Sequence, residues 1–97
     1  MRVIAKKTIR QFWEIHADSE EQLKTWYKEA SKAVWRAPTD IKSEFPKASI
    51  LKSSRVVFNI CGNRYRLITR INYHRGWVFI RFIGSHQDYN NIDADKI

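Results

Sequence analysis

The chain holds a single cysteine, Cys61, in 97 residues. That excludes an internal disulfide framework and any multi-cysteine zinc site. Glycine occurs three times and proline twice, which argues against a disordered or repetitive chain. No apolar run approaches the roughly 18 residues that a membrane span requires. The opening Met1-Arg2-Val3-Ile4-Ala5-Lys6-Lys7 has no signal-peptide hydrophobic region, so a cytoplasmic protein with no membrane association is expected. The most telling absence is acid. From Phe45 to Gln87 there is no Asp or Glu, but there are eight basic residues: Lys47, Lys52, Arg55, Arg64, Arg66, Arg70, Arg75 and Arg81.

What is present fits one compact domain over residues 1–97. Hydrophobic residues make up 43% of the chain, and at this length folding removes about 65% of the extended chain's surface. Eighteen Lys and Arg against ten Asp and Glu give a net charge of +8. A small basic domain points to nucleic acid, an anionic surface or an acidic protein partner. The uninterrupted basic block is mostly arginine, whose planar fork of donors suits phosphate. Solubility alone would give a basic surface, but it does not explain the missing acids.

The spacing predicts an α+β order. Arg2–Thr8 reads as a short strand. Phe12, Trp13 and Ile15-His16 suit a helix from about Ile9 to Ala17. Asp18-Ser19-Glu20-Glu21-Gln22 has capping-box spacing, either Asp18 with Glu21 or Ser19 with Gln22. The stripe Leu23, Trp26, Tyr27, Ala30, Ala33-Val34 then predicts a helix over residues 19–36. Pro38 opens a further short helix, Thr39–Glu44, that Pro46 ends. Arg55–Cys61, Arg64–Tyr73 and Trp77–Ile83 read as three antiparallel strands, joined at Gly62-Asn63 and His74-Arg75-Gly76. Residues 85–97 read as a turn of helix and a fraying end.

Side chains alternate across a strand. Strict alternation puts Val56, Phe58, Ile60, then Tyr65, Leu67, Thr69, Ile71, Tyr73, then Val78, Ile80, Phe82 on the core face. The other face carries Arg55, Val57, Asn59 and Cys61, the Arg64, Arg66, Ile68, Arg70, Asn72 set, and Trp77, Phe79, Arg81 and Ile83. Arginines for phosphates and rings such as Trp77 for bases make that face a platform for single-stranded RNA. The plainer alternative is that Trp77 and Phe79 pack under the tail while the arginines cap the sheet.

Candidate chemistry is sparse. His16 and His74 read as surface positions. His86, in Ile83-Gly84-Ser85-His86-Gln87-Asp88-Tyr89, follows the last strand beside the arginines, with a phenol three residues on, a credible acid/base station. No metal constellation, nucleophile elbow or paired carboxylates are visible. An enzyme on this frame would be free of metal and other cofactors, with an anionic substrate. RNA cleavage by its own 2′-hydroxyl fits: it needs a base, cations at phosphorus and an acid for the 5′-oxygen.

The segment Val57-Phe58-Asn59-Ile60-Cys61-Gly62-Asn63-Arg64-Tyr65-Arg66-Leu67-Ile68 resembles the hallmark of the HigB toxin family. So do the closing Phe79-Ile80-Arg81-Phe82-Ile83-Gly84-Ser85-His86-Gln87-Asp88-Tyr89, the start Met1–Ile4, Trp35-Arg36-Ala37-Pro38 and Ile41–Pro46. Ser85 stands where that family often has threonine. The resemblance implies a RelE-like fold, a toxin of a type II toxin–antitoxin system and a ribosome-dependent endoribonuclease acting on translated mRNA. It also implies a HigA-like helix-turn-helix antitoxin as partner. Carried over by position, it makes Arg66 and Arg81 transition-state stabilisers, His86 the general acid or base and Tyr89 its helper. Lys52, Arg64 and Arg70 become RNA or ribosome contacts, joining Arg55 and Trp77 of the same face. Strict alternation conflicts with this in one place, since it sends His86 to the core face; a break at Gly84 would re-aim it. A non-catalytic RNA- or ribosome-binding module on the same face, or a domain that binds only an acidic protein, are the alternatives.

Overall fold

The computed structural model describes residues 1–97. Strand β1 (Arg2–Ile4) leads into helix α1 (Lys6–Ile15), a turn of 3₁₀ helix (Ala17–Ser19), α2 (Glu20–Lys32) and α3 (Pro38–Glu44). The rest is β2 (Ser49–Ile50), β3 (Arg55–Ile60), β4 (Tyr65–Asn72), β5 (Trp77–Ser85) and the short helix α4 (His86–Asn90). The strands form one sheet in the order β1-β5-β4-β3-β2. The expected meander is there, extended by β1 running parallel to β5 and by the two-residue β2 on the other edge. The architecture is α+β.

Helices α1 and α2 bury one stripe each on one face of this sheet. Ile9 and Trp13 of α1 sit four apart and are buried, as are Leu23, Trp26 and Ala30 of α2. They meet Val56, Phe58, Ile60, Leu67, Ile71 and Val78 from the strands. Ile15, placed on the same stripe by spacing, is instead 79% exposed. Helix α2 stops at Lys32, four residues short of the expected end, because Trp35 has to turn inward. Its ring stacks on Phe58 and meets Phe45 edge-on, and its Nε1 donates to Glu44 Oε1 at 3.2 Å. The capping box does not form. Ser19 Oγ donates back to the His16 carbonyl at 2.7 Å, and the Asp18 carboxylate is taken by the β4 end of the molecule.

The main departure from strict alternation lies in β5. Ile68 pairs with Phe82 but Thr69 pairs with Ile80, so Arg81 is an extra, unpaired residue: a β-bulge. Before it the expected faces hold. After it they reverse. Ile83 packs against the helix-side core, and Phe82 shares the opposite face with Ile68.

That second face is not fully open. Val57 and Ile68 are both buried, though they belong to the side away from the helices and lie outside the helix-side cluster. The C-terminal segment is tied down on this side of the sheet. Arg55 donates from Nε and Nη2 to the Ile97 carbonyl at 3.2 and 2.8 Å, and the Lys52 amide donates to Asp95 Oδ1 at 3.2 Å. The tail that composition marks as fraying is thus folded back and tied to the β2–β3 end of the sheet.

Candidate nucleic-acid interface

The register stacks the second face in rows. Asn59, Arg66 and Gly84 form one; Val57, Ile68 and Phe82 the next; Arg55, Arg70 and Phe79 a third; Asn72 and Trp77 a fourth. The first row is the most constructed. Arg66 Nη1 donates to Asn59 Oδ1 at 2.7 Å and to Asn63 Oδ1 at 3.1 Å. The Arg66 guanidinium carbon also sits 5.6 Å from the centre of the Tyr89 ring. Two amide oxygens and one ring therefore fix the direction of a charge that no carboxylate neutralises. Gly84 completes the row by having no side chain: a Cβ there would come within 2.5 Å of the Phe82 ring, so the ring lies across it.

His86 emerges from this end of the sheet. Its amide donates to the Arg64 carbonyl at 2.9 Å, which extends the β4–β5 ladder by one bond, and its side chain is exposed. Ser85 caps α4 by accepting from the Asp88 amide at 3.1 Å. The expected conflict over His86 is resolved, but not at Gly84. The extra residue at Arg81 shifts the parity of everything after it, so Gly84 and His86 leave the strand on the side of Arg66. Arg81 itself is exposed, at a point where β5 has run past the last β1 partner, Phe79.

The other end of the face is separate. Four residues of strand, about 13 Å, divide Arg66 from Arg70, with the buried Val57–Ile68–Phe82 row between. There Arg70 is exposed, Trp77 meets Phe79 edge-on at 5.9 Å, and Arg75 lies 5.1 Å from the Trp77 ring centre. A cation over an indole face is held without losing its outward donors.

The expected continuous ladder of arginines is broken. Arg64 is drawn off to Asp18, its Nη1 2.6 Å from Oδ2, while the Tyr65 hydroxyl donates to Oδ1 at 2.8 Å. The Tyr65 bond, then Arg64, holds the Asp18 carboxyl below the usual carboxylate range, and the same bond raises the Tyr65 phenol. Burial, first of all, pushes the neighbouring Cys61 thiol up. Arg55 is occupied by the Ile97 carbonyl and by Ser53, and Lys52 stands in the loop beside Asp95. Of the nine candidate residues, the structure gathers Arg66, Tyr89 and His86 at one end of the face and Arg70 with Trp77 at the other. Asn59 and Asn63, the partners of Arg66, were not among the nine. Their signal was an amide on the arginine face by alternation, and a second one in the turn. No three His, Cys, Asp or Glu side chains converge where they could hold a metal ion, and no helix is long and apolar enough to cross a membrane.

A five-stranded mixed sheet with helices packed on one face is consistent with a RelE-like toxin fold. A family model described as HigB_toxin, RelE-like toxic component of a toxin-antitoxin system, matches residues 19–92. The chain belongs to that family. No relative is found among curated proteins.

Proposed function

We propose that the protein is an endoribonuclease toxin that cuts translated mRNA on the ribosome, using the RNA's own 2′-hydroxyl as nucleophile. The carrying observation is the fixed, unneutralised Arg66 at the strand end where His86 emerges. In this reading a base removes the 2′-hydroxyl proton and the oxygen attacks the adjacent phosphorus. The P–O5′ bond breaks, and an acid returns a proton to the 5′-oxygen, leaving a 2′,3′-cyclic phosphate. His86 supplies one of the two proton transfers. Arg66 offers its free N–H groups to the phosphate as negative charge grows, braced by Asn59, Asn63 and Tyr89; a donor already aimed costs no reorganisation at that moment. Arg81 adds a second cation beside the bulge. Arg70, Trp77 and Lys52 hold the strand or the ribosome. The whole chain acts as one domain in the cytoplasm, with a HigA-like helix-turn-helix antitoxin as its inhibitor.

The deciding experiment is primer extension on a translated message after brief expression, beside His86→Ala and Arg66→Ala. Wild-type chain should produce new 5′ ends within the coding region. His86→Ala should reduce them by about 10²- to 10⁴-fold, the usual range for a lost proton-transfer group, while still pelleting with ribosomes. Pelleting without cleavage by the wild-type chain leaves only the RNA- or ribosome-binding module.

A further inference from the structure

A groove of about 800 Å³ lies on the side of the molecule reached past the outer edge of β3. One wall is the face of α2 that carries Glu21, Gln22, Thr25 and Glu29; the other is the segment Glu44–Ala48; Trp26, Phe58 and Ile60 make the apolar part. Its charge runs against the rest of the molecule. In a chain of net charge +8, Glu21, Glu29 and Glu44 form no ion pair, and Lys47 is the single cation lining the groove. Unpaired acids are costly to hold together and are stabilised by an incoming cation.

Two further observations point to the form of that cation. The first is the strand edge. Leu51 N donates to the Arg55 carbonyl and Cys61 N donates to Gln22 Oε1, so alternate residues of β3 turn their main chain away from β4 and toward this side. Strand β2 pairs only as far as Val57. Asn59, between Val57 and Cys61, therefore presents an outward N–H and C=O that meet no partner. Such an edge accepts an extended chain. The second is Trp26, whose buried Nε1 has no acceptor. The spacing of the acids agrees. Glu21 and Glu29 are eight positions apart on a helix, about 12 Å, and side chains four apart on a strand are about 13 Å apart on one face.

We propose that this groove seats an extended segment of the antitoxin, main chain bonded to Asn59, with Lys or Arg side chains four apart directed at Glu21 and Glu29. The family supplies the partner; the location and the basic, extended character of the contact come from the groove. Small molecules fit the site less well, because it is open along the strand edge and its charges are spread along a helix.

The test titrates full-length toxin with the antitoxin it is co-expressed with, comparing wild type, Glu21→Lys/Glu29→Lys and the control Glu14→Lys, whose acid pairs with Arg10 outside the groove. The double reversal should weaken binding by about 10- to 100-fold, the control by less than about twofold, with all three giving the wild-type circular dichroism spectrum. Antitoxin binding should also slow hydrogen exchange at the Asn59 amide in the wild-type complex. Double-variant affinity within about twofold of wild type, or an Asn59 amide that exchanges at the free rate in the complex, overturns the proposal. The outcome is separate from that of the ribonuclease reading. Glu21 and Glu29 lie outside the arginine face, so the double variant should arrest growth like wild type without antitoxin and escape neutralisation with it.

Discussion

Arg66 rests with its guanidinium carbon 5.6 Å from the Tyr89 ring centre, and the same side chain donates to Asn59 and Asn63. Arg66 comes from the middle strand of the sheet and Tyr89 from the helix after the last strand, so the contact joins the arginine face to the segment that carries His86. Charge alone cannot reproduce it. Arg66→Lys keeps the charge but loses the planar fork and the stacking surface. Both Arg66→Lys and Arg66→Ala should cut single-turnover cleavage of ribosome-bound message, Arg66→Ala by about 10²- to 10³-fold. Asn59→Ala should give a smaller loss of about tenfold, with Arg66 charged but unaimed. A lysine variant as active as wild type would assign Arg66 to attraction rather than positioning.

Gly84→Ala tests the local packing. The added methyl would stand 2.5 Å from the Phe82 ring, and the ring is the part that has to move. A loss of about 1–3 kcal/mol is expected, read from urea unfolding. In a Phe82→Leu background the same substitution should cost less, because the colliding atoms are gone; equal costs in the two backgrounds would show that the ring is not the obstacle.

Asp18 ties the turn before α2 to the β3–β4 hairpin through Tyr65 and Arg64. Its folded pKa is lowered from 3.8. A lowered carboxyl contributes its stability in full above the unfolded-chain value and loses it as the pH falls through the folded value. Wild type should therefore melt above Asp18→Asn at neutral pH, and the gap should close as the pH drops below about 4. A gap that persists at pH 2 would assign the effect to packing rather than to the carboxylate. Both sides of the pair are exposed, so the difference is a small one.

The covered part of the second face makes Ile68 a core residue in energetic terms. Ile68→Ala should cost about 2–4 kcal/mol, as much as a helix-side substitution such as Leu67→Ala, by chemical denaturation. Arg55→Ala removes the two donors to the Ile97 carbonyl and should speed hydrogen exchange in residues 91–97 while leaving β4 unchanged. An unchanged tail would show that apolar cover alone holds it.

Local pattern carried the reading as far as pairs of neighbouring residues decide the structure. The stripe Leu23, Trp26, Ala30 and the alternation of Val56, Phe58, Ile60 both landed on the core, because burial demands that period wherever one face is covered. The same rule failed at Arg81. A bulge is settled by how two strands pair, and Phe-Ile-Arg-Phe-Ile reads equally well with or without one. Arg64 was placed in the arginine ladder for a similar reason: its partner, Asp18, is 46 positions away, and no local signal links them. The two-residue β2 is too short for any period to show. Alternation puts Asn59 on the right face, but its role comes only from the bond Arg66 donates to it. Asp93 and Asp95 give the tail the composition of a solvated end, yet Asp95 accepts a main-chain bond from Lys52.

The unpaired Arg81 lets the last strand change the facing of its later residues without leaving the sheet. If that single residue were removed, Ile80 opposite Thr69 and Phe82 opposite Ile68 would become plain neighbours, so Phe82, Gly84 and His86 would stay on the side of Arg66 and Ile83 would stay under the helices. The shortened strand would be fully paired and still send its histidine to the arginine face, lacking only the exposed cation at the bulge. Drawing Arg81 into the ladder instead would turn Phe82, Gly84 and His86 toward the helices, so the bulge, more than the residue count, sets where the histidine points.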